Sequence, residues 1–173
     1  MNEAELNILK GLEGLRNPIL DPVMLFFTRL ADSGAIWIIL CLALLTFIKT
    51  RRAGHSMMIS LIFVLVFGNL LFKPLFERVR PFDLYPFHML IEPPSDFSFP
   101  SGHALSSFAA SCALFFSGFK KSGAACLAVA AIIGFSRLYL CVHFPSDLFF
   151  SLILGIIFGL LSVKISNYIY DKR

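Results

Sequence analysis

Apolar and polar positions alternate along this chain on two scales, a fine one near its start and a coarse one over the remainder. In residues 3–16 the leucines Leu6, Leu9, Leu12 and Leu15 recur every third position, forming a stripe opposite Glu5 and Lys10. That period predicts an amphipathic helix lying on a membrane surface. Pro18 and Pro22 interrupt it, and the apolar stretch 23–30, too short to span a bilayer alone, leads into the turn-prone Asp32, Ser33 and Gly34. Beyond this point the pattern coarsens into apolar runs at about 35–48, 57–72, 104–119, 124–139 and 148–165. Each approaches the roughly 20 residues that a spanning helix needs. The expected fold is all-α: a polytopic membrane helix bundle of five or six membrane helices, counting the N-terminal interfacial amphipathic helix. It is read as one integral-membrane domain over 1–173, with an interfacial segment 1–33 and a bundle 34–173. No internal repeat or low-complexity segment interrupts it.

Composition agrees with a lipid solvent, since 57% of the 173 residues are apolar and 15% are charged. The net charge of +4 does not mark a nucleic-acid surface, because the cations gather at the ends of apolar runs rather than along one face. They read as a topology signal. Lys49, Arg51, Arg52, Lys120, Lys121, Lys164, Lys172 and Arg173 fall on one side, which the positive-inside rule makes cytoplasmic. The polar stretch 73–101 and the block after the fourth apolar run then face outward, at the cell membrane's extracytoplasmic surface. The first 16 residues carry three acids and no long apolar core, so the N-terminus is expected to be retained rather than cleaved as a signal peptide. Cys41, Cys112 and Cys126 lie inside apolar runs and Cys141 just before a polar block, with no CxxC spacing, so neither a disulfide framework nor a metal site is expected.

Three polar clusters interrupt the apolar pattern on the outward side, between residues 73 and 147. In KPLFERVRP, Lys73 closes one apolar run and Arg80 follows seven positions later. Alone, this also describes cations snorkelling to a surface. In PSGH, Ser101 stands at an N-cap position, Gly102 permits close backbone approach, and His103 sits in the first turn of the next helix. Free amides and the helix dipole suit such a place to a phosphate oxygen, although an ordinary capped helix reads the same way. The third cluster is Ser136, Arg137, His143 and Asp147, with Pro145 placed to start a helix. His143 and Asp147, four apart, share a face, so the carboxylate can hold one ring nitrogen and leave the other as a nucleophile. Asp147 is equally suited to capping the last helix. Ionisable groups gathered at one membrane depth are costly unless they pair or serve a site.

These residues resemble the type 2 phosphatidic acid phosphatase superfamily, whose pattern runs KxxxxxxRP, PSGH, SRxxxxxHxxxD. Lys73 to Pro81, Pro100 to His103 and Ser136 to Asp147 match every fixed position and spacing. The segment NPILDPVMLFFTRLADSGAIW is, more generally, similar to small bacterial members. The resemblance implies a metal-independent phosphatase or diphosphatase with no cofactor. His143 would attack phosphorus and form a phosphohistidine, Asp147 would orient it, and His103 would protonate the leaving oxygen before activating water. Lys73, Arg80, Ser101, Gly102, Ser136 and Arg137 would hold the phosphate oxygens. Glu77 and Arg78 fall at free positions of the pattern and are expected to pair with each other or face headgroups. Asp83, His88, Glu92 and Asp96 are expected to gate entry or tune headgroup choice from the outer loop.

By the same resemblance the substrate is a lipid phosphate in the membrane, with undecaprenyl diphosphate favoured. Phosphatidylglycerophosphate or phosphatidic acid is the alternative. No nucleic acid and no obligatory protein partner are expected. A non-catalytic lipid-phosphate binder or transporter is a competing class, disfavoured because binding needs cations but not a nucleophile with its orienting acid. A vanadate-dependent peroxidase, which shares the anion site in soluble relatives, fits poorly with burial among apolar spans.

Overall fold

The computed structural model describes residues 3–172, and among them every regular element is helical. The helices are α1 (Glu3–Glu13), α2 (Leu20–Leu30), α3 (Ala35–Thr46), α4 (Arg51–Phe63), α5 (Lys73–Phe76), α6 (Pro81–Leu84), α7 (Gly102–Phe116), α8 (Lys120–Tyr139) and α9 (Pro145–Asp171). A π-helical stretch, Val64–Phe72, joins α4 to α5, so the rod continues from Arg51 to the first polar cluster.

At the centre stands α7. Every residue from Ala104 to Leu114 on it is buried, and most are Ala, Ser or Cys. A helix covered on all sides needs small side chains so that its neighbours approach closely. On α9, Gly155 and Gly159 supply the other half of that contact. A Cβ on Gly155 would stand 2.6 Å from Phe108 Cβ, and one on Gly159 would stand 2.5 Å from Cys112 Cβ and 2.9 Å from Ala113 N. On the far side of α7, Trp37 of α3 donates from Nε1 to Ser107 Oγ at 2.8 Å. Large apolar side chains such as Ile39, Leu42, Phe149 and Leu160 are exposed instead of buried. That distribution suits a surface solvated by acyl chains.

The expected span boundaries move in informative ways. Three stretches are long and apolar enough to cross a membrane: Arg51–Leu84, Lys120–Tyr139 and Pro145–Asp171. A fourth crossing arises when α2 and the segment Asp32–Thr46, bent by 45° at their junction, are taken as one broken span. The break is a 3-10 turn at Asp32–Gly34, where Ser33 and Gly34 both have positive φ. The stretch 23–30 thus forms one arm of a bent pair of helices with the run after Gly34. α7, at 15 residues, is shorter than an ordinary span. The leucine stripe of α1 docks on the bundle, with Leu6, Leu9 and Leu12 against Phe87, Cys141 and Phe144.

Of the cations assigned to one side, Arg52 joins the start of α4 to the end of α9; Arg173 lies outside the described residues. Arg52 at the start of α4 donates to Asn167 at 2.7 Å and to Asp171 at 3.0 Å near the end of α9. With 27 residues, α9 is about 40 Å long, so its start lies a bilayer's thickness away.

Close packing of α7 on α9 yields a test. In an open helix interior Gly→Ala gains about 1 kcal/mol of propensity, and Gly11, with nothing near its Cβ position, should follow that rule. Gly159→Ala should instead cost about 1–3 kcal/mol through overpacking. Thermal unfolding in detergent should rank Gly11→Ala at or above the wild type and Gly159→Ala clearly below it. A Gly159→Ala protein as stable as wild type would contradict the contact.

Candidate active site

The three polar clusters meet at the end of the bundle where α5, α7 and α9 begin and α8 ends. Lys73 opens α5, 8% exposed, and its ammonium pairs with the Asp96 carboxylate and donates to Phe97 O at 2.9 Å. The helix stops at Glu77, whose φ of 42° turns the backbone out of α5. Three residues later Arg80 is buried again. Its Nε donates to Asp96 O at 2.7 Å, its Nη2 to Asp96 Oδ1 at 2.5 Å and its Nη1 to Val142 O at 2.7 Å. Asp83 steadies this turn by accepting from Arg80 N at 3.0 Å as α6 begins.

Ser101 takes the N-cap position of α7, but its hydroxyl does not cap the helix. That Oγ is buried without a hydrogen-bond partner among the described residues. Its backbone N–H donates to Ser151 Oγ of α9 at 3.1 Å, which fixes the start of α7 against α9. One residue beyond Gly102, His103 Nε2 lies 2.9 Å from Asp32 Oδ1 in the break between α2 and α3. Arg137, 3% exposed in the last turn of α8, donates from Nη1 to Thr28 Oγ1 at 2.5 Å, and its Nε has no partner among the described residues. Ser136 turns into its own helix, donating to Ile133 O at 2.6 Å.

Between α8 and α9 the chain reverses through Cys141, at φ 56°, and presents His143. Phe144 is extended and Pro145 occupies the first turn of α9. Asp147 Oδ2 accepts from Phe144 N at 2.9 Å, the carboxylate half of a capping box. The same oxygen accepts from Ser98 Oγ at 2.6 Å and faces His143 Nδ1 at 3.5 Å. The other nitrogen of His143, Nε2, faces Arg80 Nη1 at 3.3 Å. Asp147 thus both caps α9 and faces the ring, so the two readings of that residue coexist.

A cavity of about 790 Å³ joins this cluster to the lipid-facing surface. Lys73, Arg80, Asp96, Gly102, His103, Arg137 and His143 line one end. Ile38, Leu42 and Leu45 of α3, Met58 and Ile62 of α4, and Leu65 line the rest. Several of these apolar side chains, among them Ile38, Leu42, Ile62 and Leu65, are exposed on the flank of the bundle. No group of three His, Cys, Asp or Glu side chains able to hold a metal ion occurs among the described residues.

A family model described as the PAP2 superfamily matches residues 53–171. The chain belongs to this superfamily. It is 32% identical over 149 residues to an undecaprenyl-diphosphatase of Sulfolobus acidocaldarius, covering 86% of this chain and 71% of that one. It is 33% identical over 162 residues to undecaprenyl-diphosphatase BcrC of Bacillus subtilis, covering 92% and 83%. In three dimensions it superposes on a transmembrane PAP2-type phosphatidylglycerolphosphate phosphatase from Bacillus subtilis with a TM-score of 0.79 at 26% identity, over 96% of this chain and 86% of that structure. Like these PAP2 relatives, this multi-pass membrane protein is a phosphatase, a hydrolase acting on phosphate esters.

Three polar residues without a role in the sequence reading stand in this PAP2 site, together with Asp96, which was expected only to gate entry or tune headgroup choice. Ser98 holds Asp147, Asp32 holds His103, Thr28 holds Arg137, and Asp96 lies between Lys73 and Arg80. Asp32 and Thr28 gave one usable signal, polar residues next to an apolar stretch at the depth of the motifs. The expectation for Arg78 is corrected: it pairs with Glu5 and Asp147, not with Glu77.

His143 is 2% exposed. Burial lowers its pKa from the ordinary 6.5 to about 3, with Arg80 and Arg137 adding to the fall and Asp147 opposing it. The unfolded chain therefore binds more protons than the folded one between these values, so this group's contribution to stability is lost as pH falls through that window. Nitrogen-15 histidine NMR in detergent micelles, assigned with His143→Asn, should find the ring neutral at pH 5. A midpoint near 6.5 would mean that the ring is not buried as described.

Proposed function

We propose that this protein removes the terminal phosphate of a lipid diphosphate through a phosphohistidine on His143, with undecaprenyl diphosphate as the substrate and with the site open to the extracytoplasmic side. The observation that carries this reading is the single cavity whose cationic end holds His143 and whose apolar remainder opens on the lipid-facing flank. An anionic headgroup and a hydrocarbon tail are what such a cavity accommodates together. The identities of about a third to undecaprenyl-diphosphatases favour a polyprenyl tail.

In the proposed reaction Lys73, Arg80 and Arg137 neutralise the terminal phosphate, and the unpartnered Ser101 hydroxyl and Arg137 Nε meet two of its oxygens. The amide of Gly102, at the start of α7, adds the helix-terminus field. With Nδ1 facing Asp147, His143 directs the Nε2 lone pair into the cavity. The Nε2–P bond forms as the bridging P–O bond breaks, and His103 gives a proton to the leaving oxygen. Water then attacks phosphorus, His103 takes its proton, and the N–P bond breaks to release inorganic phosphate. The full set of roles is therefore catalytic for His143, His103 and Asp147 and phosphate-binding for Lys73, Arg80, Ser101, Gly102 and Arg137. Ser136 stands apart because its hydroxyl is spent inside α8. The outward side is supported by the cations at the opposite end of the bundle, around Arg52 and the end of α9. A phosphatidylglycerophosphate phosphatase is the second reading, favoured by the superposition on such an enzyme.

Purified protein in detergent with EDTA should release phosphate from undecaprenyl diphosphate with kcat/KM at least about tenfold above that for phosphatidylglycerophosphate. His143→Ala should lower release by on the order of 10³-fold or more and abolish an acid-labile covalent phosphate at the same time. Release from neither lipid by folded protein would sink the enzymatic reading, and the reverse preference would favour the second one. A further outcome follows from Asp96. Burial alone would raise its carboxyl, but Lys73 and Arg80 outweigh that and bring it down to about 2, so it stays anionic and competes with phosphate for both cations. Asp96→Asn should tighten inhibition by orthovanadate about tenfold. Weaker inhibition would make Asp96 a residue that positions Lys73 and Arg80 instead.

A further inference from the structure

The side of Asp147 away from His143 carries an interaction that the phosphatase motifs do not include. Asp147 is fully buried, and its Oδ2 is occupied by Ser98, Phe144 N and the His143 edge. Its Oδ1 accepts from Arg78 Nη1 at 2.5 Å. Because the His143 ring is neutral at physiological pH, Arg78 is the one cation within ion-pairing distance of this carboxylate among the described residues. A buried carboxylate deprived of its cation is strongly disfavoured in its charged form.

Arg78 is itself fixed on three further sides. Nη2 pairs with Glu5 Oε2 of α1 at 2.9 Å, Nη1 also donates to Ser146 Oγ at 2.7 Å, and the guanidinium lies 4.3 Å from the centre of the Phe144 ring. Glu5 completes the clamp, its Oε1 accepting from Ser146 N, in the first turn of α9, at 2.8 Å. A planar fork held by two carboxylates, a hydroxyl and an aromatic face is a geometry that Lys reproduces only in part. Arg78 does not line the cavity, so it does not reach the phosphate.

We infer that Arg78, held by Glu5 of the N-terminal helix, is a positioning residue that keeps Asp147 ionised and aimed at His143. This rests on the reading of His143 as nucleophile and deepens it. The amphipathic helix α1 thereby becomes part of the catalytic framework, and the docking of its leucine stripe on Phe144 and Cys141 serves to bring Glu5 to the clamp.

Phosphate release from farnesyl diphosphate in detergent, with orthovanadate inhibition measured alongside, tests the inference. Arg78→Gln should lower kcat roughly 10- to 100-fold, as loss of a partner that orients a ligand does elsewhere, while KM and orthovanadate inhibition stay within about twofold. Arg78→Lys should recover part of the rate, and Glu5→Gln should lose about three- to tenfold. In an Asp147→Asn background the Arg78→Gln change should cost nothing more, because the group it acts through is gone. A full additional loss in that background, or a loss of orthovanadate inhibition, would overturn the inference. So would an unchanged kcat in Arg78→Gln. Should Arg78→Gln fail to fold, Glu5→Gln alone and in the Asp147→Asn background decides in the same way. Wild-type protein inactive on farnesyl and undecaprenyl diphosphates would indict the proposed function itself, a result distinct from any pattern among the variants.

Discussion

A carboxylate with no solvent contact, that of Asp147, is the constraint around which the site end of the bundle is organised. Removing one partner of a buried ion pair costs about 3–5 kcal/mol, a large share of a typical folding free energy. Asp147 is therefore affordable only where several segments agree on its position. The segment after α5 supplies Arg78, the loop before α7 supplies Ser98, and Phe144, which caps α9, supplies its backbone N–H. Helix α1 holds Arg78 in turn through Glu5. Segments around residues 78 and 98 are thus bound to one oxygen pair, with α1 tied to it through Arg78, and His143 lies against it.

On the cavity side the balance of charge is reversed. Among the described residues Lys73, Arg80 and Arg137 outnumber the acids there: Asp96, from an exposed loop and 55% exposed in its side chain, pairs with Lys73 and Arg80, while Asp32 is held by His103. Among the described residues the buried hydroxyl of Ser101 and the Nε of Arg137 are polar atoms without partners, and such atoms are few there. A surplus of cations and unspent donors is an unfavourable arrangement for the resting protein alone. It becomes favourable when an anion with several acceptor oxygens enters, which is the stored asymmetry that an electrostatic phosphate site requires. The apolar remainder of the cavity then restricts that anion to one carrying a hydrocarbon tail.

What the sequence made legible follows from where polarity was unexpected. Lys73, Arg80, His103, Arg137 and His143 stood out because they lie in polar clusters between apolar runs, and all five line one cavity. Glu5, Arg78 and Ser98 were not assigned to the site because each lies in a segment that was already expected to be polar, where a charge or hydroxyl carries no surprise. Their roles depend on partners 45 to 141 residues away, and no local period encodes such a separation. The helix count was affected by a similar blindness. Hydropathy sees the apolar stretch before Asp32 and the run after Gly34 as unrelated, while the positive φ at Ser33 and Gly34 makes them two arms of a bent pair. The small-residue contact of α7 with Gly155 and Gly159 was present in the sequence as a spacing of four and was overlooked among larger apolar neighbours.

The two halves of the site, the anchored acid and the cation surplus, act on the same imidazole. A nucleophile approaching a phosphate must be unprotonated, yet a ring beside a carboxylate and close to an anionic substrate is drawn toward the protonated state. Burial and the charges of Arg80 and Arg137 pull the other way and win, leaving His143 neutral. In the proposed reaction the guanidiniums that would screen the phosphate are thus also those that keep its attacker basic and free. In that proposed reaction, formation of the Nε2–P bond would develop positive charge on the ring, and Asp147 lies 3.5 Å from the opposite nitrogen to receive it. The arrangement stabilises charge where the reaction creates it rather than where the resting protein has it, which is the condition for catalysis as opposed to binding.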